Sequence, residues 1–297
     1  MAPKNVPKAW SPEDVRDGCA WVAQQAELVH IDPDRLDELA LPDVTQLEPT
    51  PLEFAVTFND INFGSGWHPY LSKEPGQSGN ATIATRLRQR FDAQGPFTAA
   101  ELAMLTADDC AAVLRQHLHP PVDDLMGLYA QSLNDLGRFL LDRFGGSFEA
   151  MVDAAKGSAT ALVVLLQEMP MYRDVSTYRD REVPFLKRAQ ITASDIGGFD
   201  DLDRLTLFAD NLIPHVLRLE GVLVVDPALV VRIQAGHLLE PGGQAEVELR
   251  ATAVHAVERM AELTGIAPRR LDHVLWQTGQ QPRFKDVPRP RVRTCFY

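Results

Sequence analysis

The strongest constraint in the sequence is a run of apolar residues spaced three and four apart over residues 122–144. This spacing places them on one face of a helix. They are Val122, Leu125, Met126, Tyr129, Leu133, Leu136, Leu140 and Phe144. Gly145-Gly146 is typical of a helix C-terminus, and Ser147 can cap a following helix. The sequence therefore predicts a long amphipathic helix in the middle of the chain.

Similar periodicity recurs along the chain and predicts a mostly α fold. Ser11-Pro12 is typical of a helix start, and Ser158 opens another apolar helix that ends before Pro170. Further helices are predicted over 99–118, 184–195, 214–220, 244–264 and 268–278. Two short segments are typical of strands, Phe54–Phe58 and Val222–Val225.

The domain organisation is predicted to be simple. The chain has 297 residues, with no internal repeat and no low-complexity segment. A proline-rich candidate linker, Leu41–Pro51, is only modestly longer than an ordinary connection. We therefore predict one compact helical domain over 1–297, with residues 1–45 as a candidate N-terminal helical extension.

Charge and cysteine content restrict the partners. The 29 basic and 41 acidic residues give a net charge of −12, which argues against a broad surface for nucleic acid or anionic membranes. Any bound phosphate then needs a local pocket. Cys19, Cys110 and Cys295 are widely spaced and odd in number, which indicates a reducing compartment without a disulfide or zinc framework. No apolar run approaches membrane-spanning length, and we expect a cytoplasmic protein.

Common catalytic motifs are missing from the sequence. It contains no H-E-x-x-H, Walker loop, G-x-G-x-x-G or G-x-S-x-G. His117 and His119, followed by Asp123-Asp124, invite a metal interpretation, but a zinc site needs three or four convergent ligands. A helix end with a polar turn explains the same residues. We therefore predict no metal.

The segment Phe58–Pro69 interleaves aromatic residues with short polar groups and two glycines. Phe63 and Trp67 could offer flat faces to a heterocycle, while Asn59 and Asp60 could bind its polar edge. In the alternative interpretation, the two aromatic rings only fill the core. Loops carry binding residues disproportionately, so this segment is a candidate site.

Charged residues in two other segments have two interpretations each. Lys187-Arg188 opens a predicted helix, where a phosphate can bind, or it is a solvated basic pair. Asp210 stands in an apolar stretch ahead of Pro214 and is either a helix cap or a catalytic carboxylate.

The predicted helix over 244–264 carries charges on two faces. Glu246 and Arg250 are i,i+4 partners on one face, and Glu248 lies on another. We expect one of these faces to be a solvated salt bridge. The final segment 288–297 is basic and then apolar, and it is predicted to be docked on the protein.

Taken together, eight segments resemble the queuosine salvage protein family, whose members are queuosine 5′-phosphate N-glycosylases. The resemblance runs in order over nearly the whole chain. The segments are NFGSGW (62–67), RFGGSF (143–148), MYRDV (171–175), FLKRAQI (185–191), FADNLIPHVL (208–217), GGQAEVELRA (242–251), LDHVLW (271–276) and RTCFY (293–297). The family more often has an acid where Asn59 stands, and here the acid is the next residue, Asp60.

The resemblance implies a fold related to DNA glycosylases, no metal and no cofactor. It implies hydrolysis of queuosine 5′-monophosphate to queuine and ribose 5-phosphate. Asp210 would be the catalytic carboxylate, and Lys187 would lie near the phosphate-bearing ribose. The remaining substrate-binding residues would be Phe63, Trp67, Phe208 and His215, with Asn59, Asp60 and Glu246 as candidates for the edge of the base.

The chemistry of this reaction explains the need for a carboxylate. Cleavage of the C1′–N9 bond develops positive charge on the sugar, which Asp210 could stabilise while it orients water. Two other function classes stay open: a non-catalytic 7-deazapurine nucleotide-binding protein, and a glycosylase acting on intact tRNA or DNA. A binder gains nothing from an acid beneath C1′, and the net charge of −12 argues against a stable nucleic-acid complex.

Overall fold

The computed structural model describes residues 8–39 and 48–297, within which the chain forms fifteen α-helices and four short strands. The helices are α1 Pro12–Gln25, α2 Pro33–Glu38, α3 Leu52–Asp60, α4 Gly79–Gln94, α5 Ala99–Leu102, α6 Ala107–Val113, α7 Val122–Phe144, α8 Phe148–Asp153, α9 Ala159–Leu166, α10 Lys187–Ile196, α11 Ile213–Leu219, α12 Pro227–Gln234, α13 Gln244–Thr264, α14 Pro268–Thr278 and α15 Pro282–Lys285. The strands are β1 Val29–Ile31, β2 Val175–Tyr178, β3 Arg181–Pro184 and β4 Leu223–Val225. The predicted mostly α fold is confirmed.

The helices with strong end signals begin and end where the sequence predicts. The central helix α7 spans residues 122–144, and Gly145 ends it in a left-handed conformation with φ of 61°. Ser147 then caps α8, because its hydroxyl accepts a hydrogen bond from the Ala150 N–H at 3.0 Å. The helices α13 and α14 also have the predicted bounds. Glycines in the left-handed conformation, Gly145 and Gly265, end α7 and α13.

Three predicted elements differ from the structure. The segment 99–118 is divided into α5 and α6, because Thr106 caps a new helix at Ala107. The segment 184–195 begins as the end of β3, and its helix starts only at Lys187, after Leu186 with φ of 54°. The predicted strand Phe54–Phe58 is wrong, since these residues lie within α3. A short apolar run does not distinguish a strand from a buried helix by its periodicity.

The four strands form two antiparallel pairs. β1 pairs with β4, with Val29 opposite Val225 and Ile31 opposite Leu223, which confirms the strand predicted at Val222–Val225. β2 and β3 form a hairpin, with Val175 opposite Pro184. The hairpin ends directly before α10 and so sets the position of that helix.

The core surrounds α7 and α13. Helices α3, α5, α6 and α8 pack on α7, and α1, α11 and α14 pack on α13. Gly137 of α7 lies so close to α5 that an added Cβ would be 2.3 Å from the Ala103 nitrogen. Among the described helices, none has the length and apolarity needed to cross a bilayer.

Two predictions fall partly on residues whose structure is not described. Residues 41–47 of the predicted linker Leu41–Pro51 lie outside the described ranges, as do residues 1–7 and 40–45 of the candidate N-terminal extension. The described part of that extension contains α1, β1 and α2. Its status as a separate extension stays a prediction.

Candidate active site

A large cavity with two adjoining lobes lies between α4, α10, the start of α11, α14 and the final segment. The lobes have volumes of about 490 Å³ and 480 Å³, within the range typical of small-molecule sites. Five residues line both lobes: Asn62, Asn80, Lys187, Asp210 and Trp276. The residues that the sequence singled out as catalytic and cationic therefore lie where the lobes join.

Asp210 lies two residues before Leu212, the N-cap residue of α11, and its side chain faces the cavity. Its Oδ1 accepts hydrogen bonds from the Leu212 and Ile213 N–H groups at 2.7 and 3.3 Å. Its Oδ2 has no hydrogen-bond partner among residues 8–39 and 48–297. The carboxylate thus binds the start of α11, although Leu212 and not Asp210 is its N-cap residue, and one carboxylate oxygen is left for a ligand. The two hydrogen bonds fix the orientation that such a role requires.

Arg250 holds the loop that carries Asp210. Its Nε donates to the Ala209 carbonyl at 3.0 Å, and its two terminal nitrogens donate to the Asp174 carboxylate at 3.1 and 2.6 Å. Its Nη1 also donates to Glu246 at 3.1 Å. Asp174 in turn accepts from the Lys187 backbone N–H at 3.2 Å. One guanidinium therefore ties the Asp210 loop to the start of α10.

The predicted solvated salt bridge on α13 is wrong. The side chains of Arg250 and Glu246 are only 2% and 4% exposed. Glu248 on the other face is fully buried and accepts hydrogen bonds from the Leu28 N–H at 2.6 Å and the Tyr178 hydroxyl at 2.9 Å. Both faces are interior because α13 is covered by α1, β1 and β2.

Lys187 and Arg188 are both buried, so the solvated basic pair is also wrong. The Nζ of Lys187 donates to the Asn62 carbonyl at 2.9 Å. Burial lowers the pKa of Lys187 to about 8, against the opposing effect of Asp210 and Asp272. Lys187 is therefore a cation placed among carboxylates at the junction of the lobes.

The second lobe, which we call the acidic lobe, combines carboxylates with aromatic rings. Its lining includes Asp195, Asp210, Asp272, Phe58, Phe208 and Trp276. The Oδ1 of Asp272 accepts from the Phe208 N–H at 3.1 Å. Burial, followed by the negative charge of Asp210, raises the pKa of Asp272 well above its usual value. A carboxyl group that holds its proton more tightly than usual can serve as an acid in such a site.

A chain of amide hydrogen bonds joins Asp195 in the acidic lobe to Asn62 at the junction. The Nδ2 of Asn62 donates to Asn59 at 3.0 Å, and the Nδ2 of Asn59 donates to Asp195 at 2.8 Å. Asn59 itself is fully buried and lines neither lobe. Its position thus suits it to orient Asp195 rather than to touch a base directly.

The first lobe, which we call the basic lobe, is lined by Phe63, Lys73, Arg289 and Arg291. The loop over 62–67 that carries Phe63 is held by the final segment, whose docking is confirmed. The Gly64 N–H donates to the Tyr297 carbonyl at 3.0 Å, and the Gly66 N–H donates to the Val292 carbonyl at 3.1 Å. Gly64 has φ of +98°, a conformation that favours glycine.

Besides Asn59, four other residues predicted to bind substrate line neither lobe: Asp60, Trp67, His215 and Glu246. Trp67, the last residue of the loop, is packed in the core and is 5% exposed. His215 is fully buried, where its Nε2 donates to the Phe284 carbonyl at 2.9 Å and burial lowers its pKa to about 4. Glu246 binds Arg250 behind Asp210.

Asp60 is a buried acid beside Arg188. Its backbone carbonyl accepts from Arg188 and from the Ser132 hydroxyl, the latter at 2.9 Å. Burial raises the pKa of its carboxyl to about 6, and the Arg188 charge opposes this rise. Of the two rings in this segment, Trp67 therefore matches the core-filling interpretation, whereas Phe63 lines the cavity, as does Phe208.

Sequence reasoning missed Asp195, Asp272 and the arginines of the final segment as cavity residues. For Asp272 a signal was present, because it stands between Leu271 and Val274 on the apolar face of α14. An acid on an apolar helix face is unusual unless it serves a site. Within the described residues, no group of three or more His, Cys, Asp or Glu side chains could hold a metal.

The chain is similar over most of its length to proteins of one family. The family model described as queuosine salvage protein matches residues 46–297. A protein of Sphaerobacter thermophilus named queuosine 5′-phosphate N-glycosylase/hydrolase is 36% identical over 233 residues, 72% of this chain and 71% of that protein. A Mus musculus protein of the same name is 29% identical over 94% of this chain and 88% of its own length. The chain therefore belongs to the queuosine salvage protein family.

Proposed function

We propose that this protein hydrolyses the N-glycosidic bond of queuosine 5′-phosphate and releases queuine and ribose 5-phosphate. Its relatives carry the name of this activity. The observation that supports it most directly is Asp210, held by two backbone N–H groups at the junction of an acidic and a basic lobe. A nucleotide with a cationic base and an anionic phosphate fits a cavity divided in this way.

The base is assigned to the acidic lobe. Queuine carries a cationic cyclopentenediol amine, and Asp195 and Asp272 supply carboxyl groups there. Phe58, Phe208 and Trp276 line the same lobe and offer aromatic surface to the deazaguanine ring. Stacking on one aromatic side chain contributes about 1–3 kcal/mol for a single base. These three rings, and not Trp67 as the sequence predicted, would therefore stack on the base.

Asp210 acts on the sugar. The C1′–N9 bond breaks with its electron pair going to N9, and the positive charge that develops on the ribose faces the free oxygen of Asp210. Water adds to C1′ and loses a proton to Asp210, which yields ribose 5-phosphate. Lys187 at the junction contacts the ribose and, through the Asn62 carbonyl, fixes the wall between the lobes.

Asp272 assists the leaving group. Queuine has carbon at position 7, so N7 protonation is not available to it. Burial and the charge of Asp210 raise the pKa of Asp272 and so favour its protonated form, which can donate to the pyrimidine edge or to the departing nitrogen. Asn59 acts through Asp195, which it orients.

The substrate is proposed to be a free nucleotide, and the protein is proposed to act in the cytoplasm without a stable nucleic-acid complex. The net charge of −12 supports the first part, since polymer binding would need a basic track. Three free cysteines suit a reducing compartment.

The test is to incubate purified protein with queuosine 5′-phosphate, queuosine and queuosine-containing tRNA, and to quantify free queuine by mass spectrometry. Release from the nucleotide well above that from tRNA is expected. Binding of the nucleotide without any release would instead identify a carrier protein. Faster release from intact tRNA would identify a nucleic-acid glycosylase.

A further inference from the structure

The turn that leads into α10 holds a residue other than glycine in a strained conformation. Leu186 has φ of 54° and ψ of 35°, in the left-handed region that residues with a side chain rarely adopt. It is fully buried, and Lys187 follows it directly as the first residue of α10. Strain of this kind persists only where surrounding contacts impose it, and it is concentrated at functional sites. The turn therefore depends on a contact that holds it.

Asp174 supplies that contact from both its backbone and its side chain. Its carbonyl accepts hydrogen bonds from the Phe185 and Leu186 N–H groups at 2.8 and 3.4 Å. Its Oδ2 accepts from the Lys187 N–H at 3.2 Å. Three successive N–H groups thus end on one residue, although that residue lines neither lobe of the cavity. The place of Lys187 in the cavity wall is therefore set from behind.

The same carboxylate orients Arg250, which reaches the loop of the catalytic carboxylate. The guanidinium makes two hydrogen bonds to it and packs between two aromatic rings, 3.9 Å from the centre of Phe185 and 4.2 Å from that of Tyr297. Its Nε then donates to the carbonyl of Ala209, the residue before Asp210. A path of hydrogen bonds therefore joins the start of α10 to the Asp210 loop.

Stability alone does not account for this arrangement. The side chains of Arg250 and Asp174 are only 2% and 3% exposed. Such a buried ion pair often adds no net stability over apolar residues of similar volume, because removing both charges from water offsets their attraction. Neutralising the guanidinium does not require Asp174 either, since Glu246 already pairs with it at 3.1 Å. What Asp174 adds is the contact to Lys187.

We propose that Asp174 is a positioning residue that fixes the separation between Lys187 and Asp210 across the junction of the lobes. This inference rests on the proposed function, but it concerns a residue outside the substrate cavity. A carboxylate stabilises the charge on the ribose only while it is held in place beforehand. Displacement by about 1 Å can lower a rate about a hundredfold. Loss of Asp174 should therefore lower kcat, while KM stays nearly unchanged because the lining of the two lobes is retained.

The experiment measures kcat and KM for queuosine 5′-phosphate in Asp174→Asn and Asp174→Ala. The carboxylate accepts three N–H hydrogen bonds, whereas an amide has one acceptor oxygen and turns its own N–H groups toward another donor. The alanine variant loses all three contacts. We expect kcat to fall about tenfold in the first variant and about a hundredfold in the second, with KM within a factor of about three of wild type.

Glu246→Gln is the matched control. It removes the same negative charge from beside the same guanidinium, and Arg250 keeps Asp174 as its partner. Glu246 lines neither lobe, and its other oxygen accepts from the Gly242 N–H at 2.9 Å instead of from α10. Thermal unfolding should show that the control loses stability as the Asp174 variants do. Its kcat should nevertheless stay close to that of wild type.

A double-mutant cycle separates positioning from a general weakening of the fold. If Asp174 acts through Asp210, Asp174→Asn should lower kcat much less when it is added to Asp210→Asn than when it is added to wild type. A substitution that only weakens the fold should lower both by the same factor. Single-turnover release of queuine, with enzyme in excess, measures the slow variants.

Hydrogen exchange gives a readout that needs no turnover. The Lys187 N–H is the first of α10 and has no acceptor within the helix, so its protection depends on Asp174. A peptide that covers residues 185–188 should exchange faster in Asp174→Asn than in wild type, and Glu246→Gln should leave its exchange unchanged.

Arg250→Lys gives the same test if neither Asp174 variant folds. Lysine keeps the positive charge but cannot bond Asp174 and the Ala209 carbonyl as a fork does, so it should also lower kcat selectively. Equal losses of kcat in Asp174→Asn and Glu246→Gln, additive losses in the cycle, or unchanged kcat in folded Asp174→Ala would overturn the proposal. Absence of queuine release by wild type would instead overturn the proposed function, and the exchange result would still test the contact.

Discussion

At the scale of single residues, the cavity is organised by two carboxyl groups in different environments. Asp210 receives two backbone N–H groups and faces Lys187, whereas Asp272 receives one N–H group and is deeply buried beside Asp210. Burial and the neighbouring charge of Asp210 raise the pKa of Asp272 and favour its protonated form. The two residues can therefore serve as the stabilising base and the acid of one reaction.

Asp210→Asn tests the first of these roles. The amide keeps the shape of the side chain, and its oxygen can still accept the Leu212 N–H, but the charge facing the ribose is lost. We expect kcat to fall at least about a hundredfold, the factor for a preorganised electrostatic group, while nucleotide binding persists. Queuine release at saturating substrate is the measurement. Turnover close to wild type would exclude Asp210 as the catalytic residue, and extensive unfolding would indicate that capping is its main role.

Asp272→Asn tests the second role through pH dependence. Because the folded-state pKa of Asp272 is raised, its contribution to stability is present at acidic pH and is lost as pH rises through that pKa. The variant should therefore gain free energy of unfolding relative to wild type at pH 8 but not at pH 4, by about 1.4 kcal/mol for each unit of the shift. Urea denaturation at the two pH values measures this.

The catalytic rate should depend on pH in the same direction as the stability does. Wild-type kcat should fall as alkaline pH deprotonates Asp272, and the variant should be slow and lack this alkaline limb. A variant with an unchanged pH profile would show that Asp272 has no part in proton transfer.

At the scale of elements, the docked segment 288–297 completes the cavity. It brings Arg289 and Arg291 to the basic lobe and closes over the loop 62–67 through two backbone hydrogen bonds. Gly66 permits this contact, because an added Cβ would lie 2.6 Å from the Val292 carbonyl oxygen. The loop and the segment therefore form one unit, although they are far apart in sequence.

Gly66→Ala should separate the segment 288–297 from the loop 62–67. The backbone of the segment has to shift, with an expected loss of about 1–3 kcal/mol of stability, as for other overpacked sites. KM for the nucleotide should rise as Arg289 and Arg291 move. Gly127→Ala in α7 is the control, because no atom lies within 4 Å of its added Cβ, and stability there should stay equal or rise by about 0.5–1 kcal/mol. Similar behaviour of the two variants, measured by thermal unfolding and by KM, would contradict the described contact.

At the scale of the whole molecule, the sequence predicted what local chemistry controls. Capping residues and glycines located α1, α7, α13 and α14, and the motifs around Lys187 and Asp210 identified two residues at the cavity junction. The segment Phe54–Phe58 was predicted wrongly because its apolar run fits either a strand or a buried helix. The environments of Trp67, Asp272 and Arg289 depend on contacts between distant segments, which no local pattern contains.

The same long separation affects how the protein reaches its active form. Asn62, Lys187, Asp210 and Arg289 meet in one cavity although they are spread over most of the chain. Closing such large loops has a high entropic cost, so these contacts form late in folding, after the local helices. A chain diluted from denaturant should regain its far-ultraviolet circular dichroism before it regains queuine release. The rate at which activity recovers would then measure the last step of folding, and partly folded molecules would be helical but inactive.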